Sequence, residues 1–261
     1  MTEEDKFIVD TFTWSFSRLE SFYQCPYAWR RSYIDCEDKV SNAFAEYGSL
    51  CHRLLEDYEK GNVDIFSISS EYDRRFAEEI PSDFPPNKYT DLRESYYLKG
   101  QKYFEEIDFP IDEIEILGVE EKVEFELGGK PFVGFIDLRY KDKDGNLIFC
   151  DHKSASIKIL KDGVSISKGD ADKMQKYKYQ QYLYTIPFVE NGTKIDYLEW
   201  NFFKEQKMYR IPWNRDEFEE AKKWALDTIE LIEKEEDFNP APSQFLCWYL
   251  CDHRDWCEYK P

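Results

Sequence analysis

The stretch Gly134-Phe135-Ile136-Asp137-Leu138-Arg139-Tyr140 runs through Lys141-Asp142-Lys143-Asp144-Gly145-Asn146 into Leu147-Ile148-Phe149-Cys150-Asp151-His152-Lys153. Two runs rich in aromatic and β-branched residues flank an Asp-Gly pair, which reads as two antiparallel strands and their turn. Side chains alternate faces along a strand, so Asp151 and Lys153 project to one side about 7 Å apart. The turn then sets where Asp137 falls. A three-residue loop, Lys143-Asp144-Gly145, with glycine in the left-handed position, is a common hairpin closure. It places Asp142 opposite Asn146 and therefore Asp137 opposite Asp151. A two-residue loop, Asp144-Gly145, would instead oppose Asp137 to His152.

Carboxylates facing each other across a ladder have Cβ atoms roughly 5 Å apart and repel. A fold avoids that pairing unless a cation sits between them. Mg²⁺ or Mn²⁺, held by carboxylates with its other positions left to water and phosphate, would remove the repulsion. Lys153 beside it could orient or deprotonate an attacking water, or neutralise developing charge. The plainer reading is two exposed acids at strand ends.

Working outward, a strand from Glu113 to Leu127 leads through Gly128-Gly129 into Pro131–Tyr140, and Asn146–His152 follows. Upstream the pattern is helical. Ser17-x-x-Glu20 reads as a capping box before Leu19, Phe22, Tyr23 and Tyr27. A helix from about Asn42 to Lys60 stops at Gly61, and Thr90 is placed to cap another that ends near Ile107. Downstream come a helix from about Ala171 to Thr185, strands near Ile195–Phe203 and Met208–Ile211, and an acidic helix from Asn214 to Glu236. The Pro81–Pro86 patch is a loop between helices. This order predicts an α/β chain with a mixed sheet.

Composition sets the class. Of 261 residues, 42% are apolar, 34% charged and 18% aromatic, a balance that buries a full core. No apolar run is long enough to span a membrane, and the acidic start Met1-Thr2-Glu3-Glu4-Asp5 lacks the positive region of a secretory signal, so a cytoplasmic location is expected. The net charge of −19 argues against a general nucleic-acid coat protein. Yet Arg139–Lys178 carries ten Lys and Arg against six Asp and no Glu, whereas Asp216–Asp237 has ten acids against three Lys. Such a basic middle either holds a polyanion locally or is a set of solvated loops. Seven cysteines are an odd number, and Cys247, Cys251 and Cys257 crowd the last fifteen residues. Clustered thiols in a reducing compartment more often bind metal than form disulfides.

Three further features bear on the carboxylates. Gly48-Ser49-Leu50-Cys51-His52 puts His52 on a helix, although a lone histidine is ordinarily a core or surface group. Gln180 and Tyr184 share a helix face at i, i+4, but Gln175 and Tyr179 have the same spacing. Glu120 precedes the strand that leads to Gly134.

The ordered set resembles the PD-(D/E)XK nuclease superfamily, most closely its RecB-like branch, which includes CRISPR adaptation nucleases and many phage exonucleases. The likeness runs from Ser17 to Cys257. It opens with Ser17-x-Leu19-x-x-Phe22-x-x-Cys25-Pro26-x-x-Trp29-x-x-x-Tyr33 and continues with Gly48 and His52. Gly134-Phe135-Ile136-Asp137, Asp151-His152-Lys153 and Gln180-Gln181-Tyr182-Leu183-Tyr184 complete it. Each motif is short; their order carries the resemblance.

The resemblance implies a restriction-endonuclease-like core with a central mixed sheet flanked by helices, in a single domain over residues 1–261. Its parts would be an N-terminal helical part (about 1–110), a catalytic sheet core (about 111–212), and a C-terminal helix with a cysteine-rich tail (about 213–261). It implies Mg²⁺ or Mn²⁺ held by His52, Asp137, Asp151 and the Cys150 carbonyl, with Lys153 catalytic and Gln180 and Tyr184 supporting phosphate and lysine. It also implies that Cys25, Cys247, Cys251 and Cys257 hold a 4Fe-4S cluster joining the termini. Four thiolates would equally suit a structural zinc, and C-x-x-x-C departs from the branch's usual C-x-x-C. Cys36, Cys51 and Cys150 read as small apolar side chains. The tail aromatics Phe245, Trp248, Tyr249, Trp256 and Tyr259 are expected to pack around the metal, with stacking on single-stranded bases as the other use.

The implied activity is metal-dependent DNA hydrolysis, most simply by an exonuclease on single strands or DNA ends. A non-catalytic DNA-binding or scaffold module, or a hydrolase of another phosphodiester, are the competing readings. So acidic a surface also suggests a protein partner that delivers the DNA.

Overall fold

The computed structural model describes residues 1–107 and 111–261. The expected boundary near residue 110 between helical part and sheet core therefore lies outside the described residues. Six helices come first: α1 (Glu3–Asp10), α2 (Phe16–Gln24), α3 (Pro26–Tyr33), α4 (Ala43–Glu59), α5 (Ile68–Glu79) and α6 (Leu92–Glu105). The hairpin strands follow as β1 (Glu115–Leu127), β2 (Lys130–Lys141) and β3 (Leu147–His152). Then come α7 (Ala171–Tyr184), α8 (Ile186–Glu190), β4 (Tyr197–Phe202), β5 (Lys207–Pro212) and α9 (Arg215–Lys234).

The five strands form one sheet in the order β1-β2-β3-β4-β5. Among the described residues only the β3–β4 pair of these strands runs parallel, and α7 with α8 makes the crossover between them. The sheet is mixed, as the sequence predicts. Its central strand, β3, is buried along its whole length and alternates strictly. Leu147 and Phe149 enter a core built with α2, α3, α7 and α9, while Ile148 and Cys150 enter a second core built with α4, α5 and α6. Asp151 thus follows Phe149 toward α7, and His152 follows Cys150 toward α4.

The hairpin closes through the three-residue loop. Asp142 N–H donates to the Asn146 carbonyl (3.1 Å), and Gly145 takes φ 79°. Lys141 pairs with Leu147 and Leu138 with Cys150, so one further step of that register sets Asp137 opposite Asp151.

Two helix caps differ from expectation by one or two residues, in each case because the oxygen-bearing side chain directly before the first helical residue takes the cap. Ser15, not Ser17, caps α2 by accepting from Arg18 N–H, and Asp91, not Thr90, caps α6 by accepting from Glu94 N–H. Pro26 then starts α3 as a separate helix, because proline cannot donate into the preceding turn. Asn42 caps α4 as expected, accepting from Phe44 and Ala45.

Candidate active site

The site lies where β3 ends and helices from both faces of the sheet reach the same point. From β2, Asp137 accepts a hydrogen bond from His152 N–H (2.7 Å). From α4, His52 brings Nδ1 to 3.5 Å from Asp137 Oδ2. From β1, Glu120 completes the group: one ligand atom from each of His52, Glu120 and Asp137 lies within 4.8 Å of the others. Glu120 adopts φ 49°, a left-handed conformation that costs a non-glycine residue about 1–2 kcal/mol. Its register neighbours, Val119 opposite Leu138 and Glu121 opposite Ile136, bracket Asp137.

On the α7 side, Lys153 Nζ donates to Asp151 Oδ1 (2.9 Å) and to Gln180 Oε1 (2.9 Å). Asp151 Oδ2 is also 2.8 Å from that ammonium, but no donor meets it with hydrogen-bond geometry. The Tyr177 ring lies under Lys153, 4.9 Å from Nζ. Gln180 therefore faces the site, whereas Tyr179 turns away, donating to Glu220 and stacking on Trp224 of α9. That resolves the two equivalent i, i+4 pairs in favour of Gln180 and Tyr184. Tyr184 packs onto Gly134, where an added Cβ would lie 2.2 Å from its ring. Gly48 performs the same service on α4, letting the helix approach Ser154.

The electrostatics suit a cation. Burial raises Asp151 to about 6, with Asp137 adding to the shift and Lys153 opposing it. Burial also raises Glu120 to about 7, helped by the charges of Asp137 and Glu56. His52 is pushed down to about 3, first by burial and then by His152 and Lys153, so it presents a neutral imidazole. Crowded, partly desolvated carboxylates beside a neutral histidine form a donor set that a divalent metal relieves.

Behind Asp137 the His152 ring is buried and held by Glu59 (Nε2 to Oε1, 2.8 Å) and Asn201 (3.1 Å from Nδ1), which in turn reaches the Tyr103 hydroxyl. Burial disfavours its imidazolium, but Glu59, Asp137 and Asp151 outweigh that and raise it to about 9. Sequence reasoning did not single out Glu56, Glu59, Asn201 or Tyr103. The readable signal was the spacing of His52, Glu56 and Glu59 at i, i+4 and i+7, which puts three polar side chains on one face of α4.

The four expected cysteines come together at the other end of the chain's path. Cys25, at the α2–α3 corner, shares a small cavity with Cys247, Cys251 and Cys257. Backbone N–H groups of Ala241, Ser243 and His253 point at the sulfurs of Cys25, Cys247 and Cys251, at 3.5, 3.3 and 3.4 Å. Leu246–Leu250 is wound as a wide turn in which Cys251 N–H reaches back five residues to Leu246, absorbing the unusual spacing. Cys51 and Cys150 are buried, whereas Cys36 is exposed and so is not a core residue as expected. The tail aromatics pack loosely, with Phe245, Trp248, Trp256 and Tyr259 each more than 40% exposed.

This arrangement is that of a phosphodiester-cleaving enzyme class. A family model for the PD-(D/E)XK nuclease superfamily matches residues 13–258, and the chain belongs to that superfamily. Among solved structures, a protein of Eubacterium rectale described as a "Putative exonuclease" is similar over 100% of this chain and 95% of its own, with a TM-score of 0.52 and 14% identity. The protein SSO0001 aligns over 98% of this chain and 96% of its own, with a TM-score of 0.34 and 18% identity. No curated protein sequence matches the chain.

Proposed function

We propose that the protein hydrolyses phosphodiester bonds in DNA with Mg²⁺ or Mn²⁺, as an exonuclease on single strands or ends. The observation that carries this reading is the lysine held between Asp151 and Gln180 beside the His52, Glu120 and Asp137 group. His52, Asp137 and Asp151 would hold the metal, with Glu120 a further ligand and the Cys150 carbonyl in reach of the same strand end. The metal supplies Lewis-acid polarisation of the phosphate and neutralises the carboxylates. Lys153 commits two of its three N–H groups to Asp151 and Gln180, which leaves one for a phosphate oxygen or the attacking water. Gln180 and Tyr184 fix that ammonium and the strand beneath it.

The exonuclease reading draws on the description of the Eubacterium rectale protein, and the DNA substrate on the family. For Cys25, Cys247, Cys251 and Cys257 we favour a 4Fe-4S cluster over zinc. The resemblance to the RecB-like branch, in which one early and three late cysteines hold such a cluster, carries that preference; four thiolates by themselves suit either group. Free thiols throughout fit the reducing cytoplasm. The net charge of −19 favours delivery of DNA by a partner protein.

The test of substrate is cleavage of end-labelled single-stranded and duplex linear DNA beside a closed circle, with either metal. Loss of label from linear DNA with the circle intact is the expected result, and cutting of the circle would make the enzyme an endonuclease.

A further inference from the structure

Beyond Lys153 the chain leaves the site alongside the end of β4. Lys153 N–H donates to the Asn201 carbonyl (2.8 Å), and Ser156 Oγ donates to Glu205 Oε1 (2.7 Å). Three lysines gather around this seam. Lys173, in the first turn of α7, donates to the Ser156 carbonyl (3.2 Å). Lys204 donates to the Tyr96 hydroxyl (3.1 Å) and lies 4.4 Å from that ring's centroid. Lys99 takes Glu205 as its partner (3.2 Å). Among the described residues neither Lys173 nor Lys204 has a carboxylate within ion-pair distance; Asp170 acts on Lys173 and Glu205 on Lys204 only from farther off.

A fold gains nothing by bringing such groups together. A half-buried ammonium bonded only to neutral oxygens has given up water without an opposite charge in return. Burial pushes Lys173 and Lys204 below the usual lysine range; at Lys173 the charge of Asp170 opposes this and Lys204 adds to it, and at Lys204 Lys99 adds to it and Glu205 opposes it. A cation at the N-terminal end of α7 also opposes the helix dipole. The neighbouring Lys176 and Lys178 of the same helix are paired, with Glu20 (2.8 Å) and Glu217 (2.8 Å). Other lysines without an ion pair, such as Lys88, Lys143, Lys161 and Lys168, stand exposed to water, whereas Lys173 and Lys204 are half-buried.

We propose that Lys173, which donates to the Ser156 carbonyl, and Lys204, next in the chain to the Glu205 that Ser156 contacts, form an anion-binding notch that takes a phosphate of the nucleic-acid strand adjacent to the one at Lys153. Ser156 is three residues beyond Lys153, a span of at most about 10 Å even for an extended chain, which suits a phosphate one or two nucleotides along. The notch rests on the nuclease reading for the identity of its ligand. It gives that reading a direction, since the strand leaves the site over the N-terminal end of α7 toward Tyr96.

The test is anisotropy of a fluorescent single-stranded oligonucleotide with the full chain in EDTA, where no metal-dependent cleavage interferes. Lys173→Met and Lys204→Met should each weaken binding about 3–10-fold and flatten the dependence of log affinity on log salt by about 0.7 per lysine. Arginine at either position should restore both. Melting temperatures of the methionine variants should stay level or rise, because an uncompensated charge is removed; a purely structural lysine would lower them. Unchanged affinity and salt slope, or a wild-type chain that binds no oligonucleotide, would overturn the notch. Oligonucleotides with a 5′-phosphate, a 3′-phosphate or neither separate the sources of the anion. Equal losses on all three identify an internal phosphate, and a loss confined to one phosphorylated end identifies a terminal one. Wild-type binding without cleavage once metal is added would sink the nuclease reading alone, since the notch is judged by binding.

Discussion

Glu120 joins an unfavourable backbone conformation to an unfavourable charge. It holds φ 49° opposite Asp137, and burial with the charges of Asp137 and Glu56 lifts its carboxyl from an ordinary 4.5 to about 7. A folded-state value above the unfolded one means that the contribution to stability is complete below the unfolded value and is lost as pH rises through the folded one. Glu120 therefore weakens the metal-free fold at neutral and alkaline pH. Glu120→Gln should raise the melting temperature of the metal-free protein at about pH 8 and leave it unchanged at about pH 4. Melts in EDTA at both values check this, and equal melting at alkaline pH would remove Glu120 from the electrostatics of the site. Asp151, raised to about 6, carries the same sign. Divalent metal should reverse the loss, because it binds the deprotonated carboxylates.

At the scale of elements, the contact between β2 and α7 sets the distance from Asp137 to Gln180. Gly134 makes it possible, for a Cβ there would lie 2.2 Å from the Tyr184 ring. Gly134→Ala should cost roughly 1–3 kcal/mol by overpacking. Combining it with Tyr184→Ala should recover part of that loss, a coupling that a double-mutant cycle in urea would measure. Strict additivity would mean that the two residues do not meet.

The hairpin around this contact was legible because Asp144-Gly145 fixes a turn, and the turn fixes the register on which the Asp137–Asp151 argument depends. Other elements were not. The α5 helix carries mixed polar and apolar residues without a strong cap, and Ser67 makes no side-chain cap bond. The short α8 begins directly after Thr185, so its start is hidden inside the end of α7. Caps one or two residues away from Ser15 and Asp91 were equally plausible by residue type, and only the backbone geometry chooses between them. Glu120 was legible as a residue bearing on the carboxylates, but its place beside His52 and Asp137 was not, because nothing in a strand pattern announces a left-handed residue.

Across the whole molecule, Cys25 and the C-terminal cysteines line one cavity where the first and last parts of the chain meet. The same junction holds Tyr27 against Glu258 (2.8 Å) and Ser32 against His253 (2.8 Å). Cys25→Ser should lower the melting temperature of protein prepared without oxygen and abolish its iron and sulfide content together. Zinc in place of iron in the wild-type protein would refute the cluster and leave the four-thiolate site in place. The ordering of charge is also a property of the whole molecule. In a chain of net charge −19, the proposed strip from Lys153 past Lys173 and Lys204 would be where nucleic acid meets positive charge.

The central claim is that Asp137, Asp151 and Lys153 form a metal-dependent nuclease centre. Its most direct test is a time course on end-labelled linear DNA, with and without Mn²⁺, for the wild-type protein, Asp151→Ala and Lys153→Met. The expected result is cleavage that requires the metal, none with Asp151→Ala, and a rate reduced roughly 10²–10⁴-fold with Lys153→Met, all three proteins melting as folded chains. Cleavage by Asp151→Ala at the wild-type rate would contradict the account.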